Sequence, residues 1–508
     1  MSKKTLVTGT LILTLASFIT RILGFVFRVF LSNIMGAEGM GLYQLIFPIY
    51  MLAWAACSAG VALAVSKKVA EFNAQKMYQD AIRTLKCAIV ISVGTSIPIS
   101  ILLFTCSEPI ATKIIQAPDT ALSLKLLGTC LPFMATACCI RGYFQGRQEM
   151  SIPATAQVLE QCARMLVIYI LAGIFAPKDL EYACAIAMVG LCGGEAISCI
   201  FTIIMYKVSK SKLVLKPAVN SYSTLFQTIW IMALPITANR FLTSALHSVE
   251  NILIPMKLQD FGMTSAQALS VYGMYSGMAM PLLFFPSMLT GSLSVALIPA
   301  ISEAKAKRNT SMLQKTVGMS IQFSSIIGIG AGGLFLALGN EIAIATYNME
   351  DVGYILRLLA MICPFFYLQN ILTGVLNGLG LQKMTFQGNV IASVLCIFLI
   401  LTLVPSQGLV GFTLALLVQS GFATIFHLAH ALGSIELPVD VLGWMVKPAI
   451  AITCGCIVMR YIFDAILVEM FSFRMATGIA ITILGAFYIV FLFVFKCVTK
   501  KDIEMFIK

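Results

Sequence analysis

The sequence predicts an all-α integral membrane protein: about 14 transmembrane helices, in two pseudo-twofold-related six-helix lobes with two C-terminal helices. Three observations carry this. The chain has 508 residues, 59% hydrophobic and only 11% charged, and apolar runs of bilayer-spanning length recur from end to end. Lysine and arginine gather on alternate connections. Two segments repeat at one offset.

Fourteen apolar spans follow in order, roughly 6–33, 41–65, 87–106, 121–141, 153–175, 182–206, 222–254, 269–299, 318–339, 353–376, 387–404, 409–432, 447–467 and 475–496. The seventh and eighth are long for a bilayer and are expected to bend or protrude. Lys3 and Lys4 precede the first run, which is too long for a signal-peptide core and lacks a small-residue cleavage site, so it reads as a retained helix.

Orientation comes from the basic residues. Twenty-three of the 34 fall on one side, among them Lys67, Lys68, Lys76, Arg83, Lys86, Arg141, Arg147, Lys207, Lys212, Lys216, Lys305, Arg308, Lys383, Lys500, Lys501 and Lys508. Four (Lys113, Lys178, Lys257, Arg474) fall on the other. By the positive-inside rule the richer side and both termini are cytoplasmic, in a multi-pass protein of the cell membrane. The net charge of +12 is thus a topology signal and no indication of a nucleic-acid partner. The basic loops Ser66 to Lys86 and Tyr206 to Lys216 read either as the same topology charge or as surfaces for anionic lipid.

The repeat sets the domain organisation. Gly41 to Glu71 resembles Gly273 to Glu303, and Leu131 to Gly146 matches Cys363 to Gly378, both at an offset of 232 residues. Pro132 pairs with Pro364, Gly142 with Gly374 and Gly146 with Gly378. The expected lobes are 1–216 and 217–446, followed by two helices in 447–508. Six helices per lobe give both the same orientation, with a pseudo-twofold axis along the membrane normal and a site between them.

The candidate site residues are polar groups inside apolar spans. Arg21 and Arg28 are seven residues apart, on one helix face with Ser17, Gly24 and Ser32. An arginine mid-bilayer costs about 2.5–3.5 kcal/mol on the insertion scale. Two on one stripe point to a wet cavity and an anionic ligand, or else to snorkelling and neutralisation by internal carboxylates. The seventh span, counterpart of the first, carries Arg240, Thr243, Ser244, His247 and Asn251 on one face, with Glu250 at its margin and Arg240 or His247 as its partner. Glu160 and Arg164 have the spacing of an i, i+4 ion pair. Glu195 follows Gly193 and Gly194, where helices are expected to pack closely. Glu250, Glu160 and Glu195 are the candidates for a coupling ion, H+ or Na+. His427 and His430 read as interfacial residues.

No nucleophile elbow, phosphate loop or HExxH occurs, so no enzyme and no cofactor is expected. The 15 cysteines lack metal-ligand spacing with a histidine and read as small core residues, with no metal site.

Four segments carry a family resemblance: LASFITRILGFVFRVFLSNIMGAEGMGLYQL (Leu15 to Leu45), IRGYFQGRQEMSIPATAQVLEQ (Ile140 to Gln161), SVENILIPMKLQ (Ser248 to Gln259) and LNGLGLQKM (Leu376 to Met384). The chain resembles the polysaccharide-transporter branch of the multidrug/oligosaccharidyl-lipid/polysaccharide (MOP) exporter superfamily. The resemblance implies two lobes in a V around a central cavity, and flipping of a lipid-linked glycan by alternating access. The implied cargo is an undecaprenyl-pyrophosphate cell-wall precursor for spore cortex peptidoglycan, with membrane lipids and cell-wall synthesis proteins as partners. Arg21 and Arg28 match the cavity arginines that the family's lipid II flippase carries in its first helix. Its arginines in the second and eighth helices have no match, and Arg240 is the substitute expected here. Two other functions compete: extrusion of cationic drugs by ion exchange at the three glutamates, and a non-transporting scaffold for peptidoglycan synthesis.

Overall fold

The computed structural model describes residues 3–175, 179–211, 217–435, 440–495 and 497. Lys178, Lys212, Lys216, Lys496, Lys500, Lys501 and Lys508, and with them the expected lobe boundary at 216, lie outside the described residues, as do the side chains of Lys3 and Lys4.

The described chain is helical almost throughout. The main helices are α1 (Lys3–Trp54), α2 (Gly60–Ala74), α3 (Tyr78–Thr105), α4 (Ala121–Gly146), α5 (Ser151–Phe175), α6 (Leu180–Ser211), α7 (Tyr222–Asp260) and α8 (Ser265–Gly273). They continue with α9 (Met280–Ala306), α10 (Thr310–Tyr347), α11 (Glu350–Ala360), α12 (Cys363–Gly378), α13 (Gln382–Ile435), α14 (Lys447–Ile462) and α15 (Phe473–Val494).

Helix length decides the span count. Among the described residues eleven helices are long and apolar enough to cross a bilayer, and α11 with α12 forms a twelfth, bent by 57°. Two of the eleven are too long for one crossing. At about 1.5 Å per residue, α1 and α13 would each run nearly 80 Å against a hydrocarbon core of about 30 Å. Each contains one residue that cannot continue a right-handed helix: Gly36 at φ 66°, ψ −172°, and Gly408 at φ 56°, ψ −129°. Both are left-handed positions, where a Cβ brings strain and glycine does not. With each helix folded there into two crossings, the count is fourteen, as the sequence predicts. The eighth span is long and is interrupted by a π-helical stretch, Met274–Ala279.

Two compact units divide the chain, residues 1–252 and 253–508. The division falls inside α7, whose Leu225, Ile229 and Ala233 join a core with Val65, Leu85, Ile140 and Phe144 of α2, α3 and α4. Around that core α4 packs against α2, α3 and α6, and α5 lies between α6 and α1. In the second unit the core unites Ile301, Ile321, Leu372, Leu376 and Ala431 of α9, α10, α12 and α13. Exposed apolar side chains such as Leu63, Val90, Tyr169, Ile231 and Ile425 suit an acyl-chain environment.

The 232-residue repeat recurs in the packing. A Cβ added at Gly142 would meet the Ala62 carbonyl oxygen at 2.6 Å, and one at Gly374 would meet that of Ser294 at 2.4 Å; Ala62 and Ser294 are themselves 232 apart. Gly146 lies against Ser66 and Val69, and Gly378 against Ile298 and Ile301, again at that offset. The turns agree too: Lys76 and Arg308, Gln116 and Asn348, and Gln148 and Gly380 all have positive φ, between 53° and 79°.

Arg141 is a correction. It belongs to no loop: it sits within α4, five residues before the helix ends at Gly146, and is partly buried. His427 is the other. It is fully buried, with both ring nitrogens lacking a hydrogen-bond partner among the described residues, and is packed inside the protein and not on an exposed surface.

Candidate functional site

The first unit holds all the candidate residues, in two different settings. The stripes of α1 and α7 are open. Arg21 and Arg240 are exposed, and neither enters an ion pair among the described residues. Ser17 and Arg28 are partly buried, and Arg28 is within electrostatic reach of the buried Tyr43. Phe27 and Leu31 turn inward, and so does Ser32 at the end of the arginine face. Gly24, on the arginine face, approaches Gln161 of α5.

On α7, Glu250 pairs with His247 and not with Arg240. His247 Nδ1 donates to Glu250 Oε2 at 3.0 Å, and Asn251 Nδ2 donates to the His247 carbonyl at 2.7 Å. Two contacts fix this stretch of α7. Ser248 Oγ shares its one proton between the Pro48 carbonyl of α1 at 2.9 Å and the Ser244 carbonyl of its own helix at 2.7 Å, and Gly60 lies so close to Ala233 that a Cβ would stand 2.3 Å from its carbonyl oxygen.

The second setting is closed and charged. Glu160 of α5 accepts from Arg141 Nη1 of α4 at 3.0 Å and from Arg164 Nη2, one turn along its own helix, at 2.9 Å. The i, i+4 pair read from the sequence is therefore half of a three-residue bridge. Glu195 of α6 is buried, and Tyr50 Oη of α1 donates to its Oε1 at 3.0 Å. The close helix packing expected at Gly193 and Gly194 is present, since a Cβ on Gly194 would stand 2.7 Å from the Glu160 carbonyl. Two guanidiniums and two carboxylates thus share one interior, with no net charge when all are ionised. Their Coulomb gain and their desolvation are opposed and of similar size.

Sequence reasoning missed Arg141 and Tyr50. A signal for Arg141 was present: at the 232-residue offset it aligns with Thr373, in the middle of α12. The same offset sets Glu160 against Ala392 and Arg164 against Cys396, both buried. The equivalent interior of the second unit carries none of these three charges.

A sequence-family model for polysaccharide biosynthesis proteins matches residues 6–305. The chain belongs to this polysaccharide biosynthesis protein family. Along nearly its whole length it is also similar to stage V sporulation protein B of Bacillus subtilis, at 29% identity over 99% of this chain and 98% of that one. The lipid II flippase MurJ of Bacillus subtilis is 25% identical over 63% of this chain and 62% of the relative. Among solved structures, a lipid II flippase MurJ in an inward closed conformation aligns at TM-score 0.70 with 15% identity, covering 96% of this chain and 98% of that one. An inward-facing multidrug-resistance MATE transporter of the MOP superfamily aligns at 0.66 with 14% identity, covering 82% and 94%. This polysaccharide biosynthesis family member is therefore a multi-pass membrane protein with the fold of MOP transporters.

Proposed function

We propose that the chain is a flippase that carries a lipid-linked glycan across the membrane by alternating access. Its cargo is an undecaprenyl-pyrophosphate cell-wall precursor, taken outward for spore cortex peptidoglycan. The observation that carries this reading is the end-to-end similarity to a sporulation protein in a family that also resembles a lipid II flippase. The site chemistry agrees with it. Arg21 and Arg240 offer guanidiniums without a carboxylate partner among the described residues, on apolar helices, and such groups recognise a pyrophosphate through charge-assisted, bidentate hydrogen bonds. Arg28, Ser17, His247 and Asn251 supply further donors on the same two stripes. An outward step of a doubly charged anion is helped by an inside-negative potential, at about 2.3 kcal/mol per charge per 100 mV. Two of the three candidate carboxylates speak against exchange of cationic drugs, because Glu160 is held by two arginines and Glu250 by His247.

The test uses proteoliposomes and a fluorescent undecaprenyl-pyrophosphate disaccharide-pentapeptide. The wild-type chain moves the probe between leaflets, and Arg21→Ala combined with Arg240→Ala slows it at least tenfold. Equal rates in wild type and double variant remove the arginines from the mechanism. No movement by the wild type, with peptidoglycan synthases retained on the protein, favours the scaffold.

A further inference from the structure

The three interior glutamates differ in how their oxygens are occupied. Glu160 gives one to Arg141 and one to Arg164. Glu250 binds His247. Glu195, 3% exposed, receives Tyr50 at Oε1, while its Oε2 has no hydrogen-bond partner among the described residues. Ser198, one turn along α6 and 0% exposed, also has a hydroxyl without one. A bare, charged oxygen in such an interior is costly. A proton on it removes the charge and turns the oxygen from an acceptor into a donor.

The surroundings select a proton over a metal ion. Facing Glu195 are Tyr50 of α1, Arg141 with Cys130 and Cys138 of α4, and Glu160 with Arg164 of α5. Its own helix adds Cys192 and Cys199. Two of these groups are guanidiniums, which repel a metal cation, and both carboxylate oxygens of Glu160 are already taken up by them. Hard cations gather about six oxygens, whereas a proton needs one.

Position matters as well. Counting about 1.5 Å per residue, Arg141 lies some 8 Å from the end of α4, Glu160 some 14 Å and Arg164 some 20 Å from the start of α5, and Glu195 some 24 Å from the end of α6. These are the helix ends that the basic residues mark. The charges therefore step inward from one face to the middle of the span.

The second unit removes the simplest alternative, that the network serves folding. At three of the four equivalent positions it carries Thr373, Ala392 and Cys396, and opposite Glu195 it carries the buried His427, and it still builds the same glycine contacts and turns. A six-helix lobe of this design does not need the Arg141–Glu160–Arg164 bridge.

We propose that Glu195 is a proton-loading site: one proton from water adds to its carboxylate at one stage of the transport cycle and returns to water at another, with Tyr50 positioning the carboxyl. Its coupling to transport rests on the flippase reading; the loading itself does not.

The test is infrared difference spectroscopy of the full chain in phosphatidylglycerol vesicles, without glycan lipid, stepped from the alkaline to the acid side of neutrality. The wild type gains the carbonyl band of a protonated carboxylic acid, Glu195→Gln loses that pH-dependent band, and Tyr50→Phe keeps it with a displaced midpoint. Thermal unfolding verifies that each variant is folded, and Tyr50→Phe carries the test if Glu195→Gln does not fold. A wild type without the band, a band of equal size in Glu195→Gln, or an unmoved midpoint in Tyr50→Phe overturns the proposal. So does a midpoint that follows sodium concentration, which would make this a metal-cation site. Because no glycan lipid is present, failure here leaves the flipping assay unaffected, and failure there leaves the band.

Discussion

Arg141 Nη1 donates to Glu160 Oε2 at 3.0 Å, joining α4 to α5 inside the first unit. Both residues are mostly buried, with side-chain exposures of 20% and 15%. Glu160 also holds Arg164, so it bridges two guanidiniums.

Glu160→Ala alone is therefore expected to be severe. It leaves two partly buried cations without their carboxylate, a class of change that costs about 3–5 kcal/mol when fully buried and somewhat less here. The triple variant Arg141→Thr, Glu160→Ala, Arg164→Cys installs the residues of the second half at these three positions and removes three of the four charges together. Its unfolding midpoint in detergent should lie between those of Glu160→Ala and wild type, nearer wild type. A triple variant less stable than Glu160→Ala would show that the two interiors are not equivalent.

Arg21→Ala and Arg240→Ala should separate stability from function. Both side chains are exposed, so each change should alter stability by less than about 0.5 kcal/mol. Flipping should fall while the unfolding midpoint stays in place. A midpoint that falls with activity would recast these arginines as structural.

Gly142→Ala and Gly374→Ala should have similar effects. Each new Cβ meets a backbone carbonyl, at 2.6 Å and 2.4 Å, and backbone cannot rotate away as a side chain can. Overpacking of this kind costs about 1–3 kcal/mol. Calorimetry of the two variants should give losses within about a factor of two of each other, the usual context spread for one kind of defect.

Ser248→Ala removes the hydroxyl that α7 gives to the Pro48 carbonyl of α1 and should cost about 1 kcal/mol. Hydrogen exchange would report it as faster opening around residues 244–252 than in wild type.

These predictions rest on features of unequal visibility in the sequence. The spans were legible because apolar length is a one-dimensional property, and so was the repeat, since Gly142 and Gly374 stand in recognisable contexts. Gly36 and Gly408 supply the turns that divide α1 and α13. The polar interior was only half legible. Glu160 and Arg164 advertise themselves by spacing on one helix. Arg141 does not, because an arginine near the end of an apolar run looks the same whether it lies five residues before the helix terminus or beyond it. Tyr50 is invisible as a partner of Glu195 until the fold brings residues 145 apart in sequence into contact. His427 looked interfacial from its neighbours in the chain, and tertiary packing buries it.

The paired left-handed turns have a consequence for ancestry. Lys76 and Arg308, Gln116 and Asn348, Gln148 and Gly380 share backbone geometry, yet no pair shares a residue type. Four of the six residues are neither glycine nor asparagine, so most of these kinks are kept by chains that gain nothing from them locally. They read as inherited corners of a duplicated gene: the bends of the path outlasted the letters written on it, while the charges within one copy went their own way.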